Sequence, residues 1–218
     1  MKMKKLNNSI FLLIIFQLLC WNNSDAQEVV IGNQTWATEN LDVETFRNGD
    51  TIPEAKTDKD WMKACKEGKP AWCYNDNDSI NGKKYGKLYN GYVISDPRGL
   101  APEGWHIPSN EEWQILEKFL RKDVANKLKS TSGWAENGNG TNSSGFNALP
   151  SGQRQGKTNT QPSQDADFEN SKVLAYWWSS TTKNSNGHWY QFIYTRFSYF
   201  SASTADNGIG LSVRCIKD

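Results

Sequence analysis

The sequence predicts an α+β fold: a loop-rich antiparallel sheet carrying two main helices, gathered in the first half of the chain. Three observations lead there. The only long segments with helical apolar spacing lie before residue 130, at 57–67 and 110–120. Four β-rich runs with turn residues between them then fill the stretch from Tyr176 to Ile216. Between these halves the chain is dominated by Asn, Gly, Ser and Asp, residues that favour turns over regular structure.

The chain begins with an export-like leader. Lys2, Lys4 and Lys5 form a positive patch, Ile10 to Leu19 an apolar core, and Ser24-Asp25-Ala26 a small-residue site for a signal peptidase. Residues 1–26 are therefore expected to be a signal peptide, and 27–218 one mature domain. The alternative is a lipoprotein acylated at Cys20, against which stands Leu19, where a small residue is usual. The mature chain would carry 22 basic and 23 acidic side chains, a balance that argues against nucleic acid as a partner. No later apolar run is long enough to span a membrane. Export implies a periplasmic, cell-surface or secreted location.

Taken in order, Glu28 to Ile31 and Gln34 to Thr38 flank Gly32-Asn33 and read as a hairpin. Asn48-Gly49-Asp50 is a turn. Thr57 to Glu67 reads as a helix with Trp61, Ala64 and Cys65 on one side, ended by Gly68. From Pro70 to Gly91 the composition predicts loops pinned by Trp72, Tyr74, Tyr85, Leu88 and Tyr89. Trp105-His106-Ile107 is a short strand, which Pro108 separates from the best helix signal in the chain. There Ser109 precedes Glu112 by three residues, a capping box that starts a helix at Asn110. Trp113, Leu116 and Leu120 form its apolar stripe, widened by Ile115 and Phe119, and a sheet should cover that stripe. Val124 and Leu128 add a further helical turn or two.

Residues 137–145 are a polar loop, 146–150 an apolar insert, and 151–172 a long surface excursion. The segments Tyr176 to Ser180, Trp189 to Tyr194, Phe197 to Ser203 and Gly210 to Ile216 complete the sheet. They are too few to form a core alone, so one folded unit is expected.

Candidate chemistry is sparse. Aromatic residues are the strongest binding feature, and Trp72, Tyr74, Trp177, Trp178 and Trp189 are the candidate ligand contacts, for a glycan or a cell-surface protein. Trp177 and Trp178 point to opposite faces of their strand, which argues against a shared core and leaves a ring free to stack on a ligand. Asn75-Asp76-Asn77-Asp78 offers oxygen ligands, with Asp76 and Asp78 the metal candidates and calcium the cofactor they suit. No acidic residue closes an EF-hand loop there, so Asx turns are the favoured reading. Asp96 and Arg98 should pair across Pro97, and His106 should sit on the solvent side of its strand. Cys65, Cys73 and Cys215 are the disulfide candidates, with Cys65–Cys73 and Cys73–Cys215 both open in an oxidising compartment. No nucleophilic triad or phosphate loop can be read, so a catalytic residue is not assigned.

The ordered blocks resemble a known family. Ile31-Gly32-Asn33-Gln34 with Trp36 and Glu39-Asn40-Leu41, Arg47-Asn48-Gly49-Asp50, Trp72-Cys73-Tyr74 and Tyr85-Gly86 with Leu88-Tyr89-Asn90 are similar to the Fibrobacter succinogenes major paralogous domain. So are Asp96 to Pro102, Gly104 to Ser109, Gly145-Phe146 with Ala148-Leu149-Pro150, Trp177 to Thr181, and Ser212 to Asp218. The resemblance implies an exported protein of the kind abundant in Bacteroidetes and Fibrobacteres, and names no reaction. The Gly104 to Trp113 segment also resembles the formylglycine-generating, sulfatase-modifying enzymes, which implies a C-type-lectin-like scaffold. Those enzymes act through a late cysteine pair, whereas Cys215 is the only cysteine after Cys73. The calcium signatures of C-type lectins, a Glu-Pro-Asn or Gln-Pro-Asp loop with a Trp-Asn-Asp strand, are absent as well. The expected function is therefore a non-enzymatic exported binding or surface module. A hydrolytic or modifying enzyme, or a structural part of a surface assembly, is the alternative.

Overall fold

The computed structural model describes residues 27–156, 166–198 and 200–218. The expected signal peptide, with Cys20, lies outside them. The described chain is α+β, with antiparallel ladders throughout its three sheets.

Strands β1 (Glu28–Ile31) and β2 (Gln34–Ala37) form the expected hairpin. Gly32 turns it at φ 66°, a left-handed conformation that glycine adopts without penalty. Helix α1 (Asp58–Glu67) is opened by a Thr57–Asp60 capping box and closed by Gly68 in the left-handed region. It buries Trp61 and Cys65, as its spacing predicts.

The next stretch corrects the expectation of loops. β3 (Trp72–Cys73), a 3₁₀ turn at Asn75–Asn77, α2 (Ser79–Tyr85), β4 (Leu88–Asn90) and α3 (Gly91–Ile94) follow in quick succession. Gly82 lies inside α2, and the Tyr74 ring occupies its Cβ position: an added methyl would sit 2.2 Å from it.

β5 (Trp105–His106) leads into α4 (Asn110–Leu120), which carries the Ser109–Glu112 capping box. Trp113, Leu116 and Leu120 are buried, but Ile115 and Phe119 are 43% and 56% exposed, so the stripe is narrower than predicted. Phe119 instead covers the turn at Gly32. α5 (Val124–Leu128) follows.

The region from 151 is not only surface. β6 (Gln153–Arg154) and β7 (Phe168–Glu169) pair with each other, and Ser151, Arg154 and Ala166 are buried. The chain then runs through β8 (Leu174–Asn184), β9 (Gly187–Tyr194), β10 (Phe200–Asp206), β11 (Gly210–Leu211) and β12 (Ile216–Lys217). The expected single strand from 210 to 216 is thus split between two sheets.

The sheet orders are β1-β2-β12-β5, β10-β9-β8 and β3-β4-β11-β6-β7. One core cluster joins α4 and α5 to Trp36, Phe146 and Trp177. A second gathers Trp72, Tyr89, Trp178 and Leu211, and a third lies under α1 around Trp61, Cys65 and Cys73. The middle of β8 therefore has a core on each face. A strand buried on both sides loses the alternation that marks a solvent face.

Candidate functional site

Cross-strand register builds an aromatic shelf on one face of the β10-β9-β8 sheet. Tyr176 lies opposite Phe192, and Phe192 opposite Ser201; Trp178 lies opposite Tyr190, and Tyr190 opposite Ser203. Paired residues share a face, so these two rows run side by side. Trp178 and Tyr176 form the buried inner end, while Tyr190, Phe192, Ser201 and Ser203 are half-buried. The rings of Tyr176, Tyr190 and Phe192 make a closed set with centroids 5.8, 6.2 and 5.9 Å apart. Asn170 Nδ2 donates to the Tyr176 hydroxyl at 3.3 Å and fixes its edge. Burial holds the Tyr176 phenol well above its ordinary pKa, so it stays protonated. The outer shelf thus offers two ring surfaces flanked by hydroxyls.

Behind the shelf lies a polar knot. Trp177 turns to the opposite face of β8 and donates Nε1–H to Asn40 Oδ1 at 2.9 Å. The same oxygen accepts from Arg214 Nε at 3.2 Å and Nη2 at 2.9 Å. Arg214 Nη1 donates to the carbonyls of Ala37 and Phe146 at 2.9 and 2.6 Å, and the guanidinium stacks over the Phe146 ring. Asn40 Nδ2 donates to the Tyr85 carbonyl at 2.8 Å. One asparagine and one arginine therefore join segments near residues 37–40, 85, 146, 177 and 214, which are far apart in the chain. Burial pushes Arg214 down to about 9, which leaves it charged at neutral pH.

A third polar group lies at the start of α4. His106 Nδ1 and Nε2 lie 2.7 Å from Asp218 Oδ1 and Glu112 Oε1, and Glu112 Oε2 accepts from Ser109 N at 2.7 Å. Partial burial opposes charge on His106, but its two carboxylate partners outweigh that and raise its pKa. His106 is half-exposed, close to the solvent position expected for it. Asp96 and Arg98 pair as expected, at 2.9 and 2.8 Å, and Arg98 also reaches Asp50.

Several expected site residues lie elsewhere. Trp177 and Trp178 are both fully buried, in different core clusters, because both faces of β8 are covered there. Trp178 spends its N–H on the Tyr89 carbonyl at 2.8 Å. Trp72 is buried too and donates to the Ile52 carbonyl at 2.9 Å. None of these three rings is free to stack on a ligand. Tyr74 is half-buried and stands edge-on to Trp72, with the buried Lys87 ammonium over both rings. Trp189 is half-buried one residue from Tyr190, so it points away from the shelf.

The Asn75–Asp78 run is used for local structure. Asn75 Nδ2 donates to the Ser151 carbonyl, Asn77 Oδ1 accepts from Arg154, and Asp78 caps α2 through Ile80 N. Asp76 lies at φ 55° with its carboxylate toward Asn81. Cys65, Cys73 and Cys215 are buried with no disulfide between them, a correction to either pairing. Cys65 Sγ donates to the Gly208 carbonyl at 3.3 Å, and burial raises Cys73 and Cys215 to about 12, which keeps both as thiols. Sequence reasoning missed the buried cations Lys87, Lys129, Arg154 and Arg214, since charged residue types read as surface. Tyr190 and Phe192 are not among the expected contacts, although aromatics two apart on a strand share a face.

Among the described residues no helix is long and apolar enough to cross a membrane. No curated protein matches the chain. No solved structure matches it either, so the likeness to a lectin-like scaffold rests on the Gly104 to Trp113 segment alone. The model of the Fibrobacter succinogenes major domain matches residues 29–217, from β1 to β12. The chain belongs to the Fibrobacter succinogenes major domain family.

Proposed function

We propose that this protein is an exported, non-enzymatic binding module whose recognition surface is the outer aromatic shelf of the β10-β9-β8 sheet, and that its ligand is a glycan. The observation that carries this reading is the half-buried Tyr190–Phe192 pair, 5.9 Å apart and flanked by Ser201 and Ser203. Ring faces bind the apolar C–H face of a sugar, while hydroxyls alongside satisfy its equatorial O–H groups. The buried Tyr176 and Trp178 behind them hold the shelf in one geometry, which lowers the ordering cost of binding. The leader at residues 1–26 supports export.

A glycan-array screen with and without calcium tests this reading, using the purified protein beside Tyr190→Ala. A specific signal that the substitution abolishes supports the shelf. A specific signal that survives it puts recognition elsewhere.

A further inference from the structure

A second site is independent of the shelf. Thr38, Glu39, Asn40 and Asp42, the end of α2 with Gly86, and Asn147, Leu149 and Arg214 line a small cleft of about 90 Å³. Its floor holds a cation with no carboxylate in direct contact, on which the exposed Glu39 acts only at longer range. Arg214 is 1% exposed, and its four hydrogen bonds end on the Ala37 and Phe146 carbonyls and twice on the Asn40 amide oxygen. Among the described residues no carboxylate forms an ion pair with it. By contrast the other fully buried arginine, Arg154, pairs with Asp58 at 2.9 Å. A buried guanidinium with neutral partners alone retains much of its desolvation cost.

A guanidinium has five N–H groups, and one Nη2 hydrogen of Arg214 finds no protein acceptor among the described residues. Lys83 and Lys84 stand exposed on the rim, and the Asn147 amide adds a polar group to the wall. Of the two acidic residues present, Asp42 is tied to Lys87, while Glu39 is exposed. The remaining balance of the cleft is positive.

We propose that this cleft binds the carboxylate of a small organic acid, with Arg214 as its buried counter-charge and Lys83 and Lys84 as its rim. The carboxylate accepts from the open Nη2 hydrogen and draws the lysines inward, a charge-assisted arrangement stronger than the neutral bonds Arg214 makes alone. Binding also reaches Trp177, whose N–H shares the Asn40 oxygen with Arg214.

The test is an NMR titration at low salt with sodium acetate, sodium glucuronate and a sodium chloride control, following the Arg214 Nε–H and Trp177 Nε1–H signals. Acetate reports the bare carboxylate, and glucuronate reports whether the cleft also accepts a sugar acid. Both signals should move saturably with at least one of the two acids and not with chloride. Arg214→Lys unties Ala37 and Phe146 and endangers the fold, so rim variants carry the proof. Lys83→Glu with Lys84→Glu should weaken binding about tenfold, and Glu39→Gln should tighten it about threefold, with melting temperatures unchanged. Absence of saturable shifts with both acids, or shifts indifferent to the rim variants, overturns the proposal.

Discussion

Asn40 Oδ1 accepts two hydrogen bonds from Arg214, a residue 174 positions later, and a third from Trp177 Nε1–H. This contact ties the start of the domain to its end through a single amide. Both donors, Arg214 and Trp177, are fully buried, so this acceptor is costly to lose.

Asn40→Ala should therefore destabilise the protein strongly. It strips Arg214 and Trp177 of a shared acceptor and leaves the Tyr85 carbonyl without its donor. A loss of about 3 kcal/mol is expected from the buried groups left unpaired. Urea unfolding measures it, and a double-mutant cycle with Trp177→Phe, which removes only the shared N–H donor and part of the ring, should give a coupling of about 1 kcal/mol.

Trp177→Ala and Trp178→Ala should each cost about 3–5 kcal/mol of stability, because both rings are fully buried. Tyr190→Ala should cost less, since its ring is already half-exposed. Thermal melts of the three variants check the order.

Gly82→Ala inverts the usual helix rule. Alanine is the better helix former by about 1 kcal/mol, yet here its methyl would lie 2.2 Å from the Tyr74 ring. A net destabilisation of about 1–3 kcal/mol is expected from the forced shift of that ring, read by chemical denaturation.

The His106 cluster makes stability depend on pH in two directions. The folded pKa of His106 is raised above 6.5, so its contribution is complete below that value and fades as pH rises through the folded pKa. For Glu112, burial opposes ionisation, but the Ser109 and His106 bonds prevail and lower its pKa below 4.5. Its contribution is present above 4.5 and is lost as pH falls through the folded pKa. Melting temperature against pH should thus show a component highest between those limits, and His106→Gln should remove its alkaline decline.

The sequence announces some of these features and hides others for physical reasons. Helix starts are local: the Ser109–Glu112 capping box is read within four residues and forms, and the Thr57–Asp60 box that the structure adds spans as few. Burial is not local. Nothing near Trp177 and Trp178 says that both faces of β8 are covered, since one cover comes from α4 and the other from strands distant in sequence. Gly82 falls in the stretch that reads as loops, whereas what it serves in α2 is packing against Tyr74 and not a backbone preference. Arg214 looks like a surface charge because its acceptors lie at positions 37, 40 and 146. The shelf was half legible: the aromatic cluster was plain, but which rings reach solvent depends on the pairing of three strands.

The most direct test of the shelf is an NMR titration of the purified protein with a panel of neutral oligosaccharides, reading each residue separately. A ligand should shift Tyr190, Phe192, Ser201 and Ser203 together, and Tyr190→Ala with Phe192→Ala should abolish those shifts while the protein stays folded. Shifts centred elsewhere, or binding untouched by the double substitution, would contradict the assignment of recognition to this face.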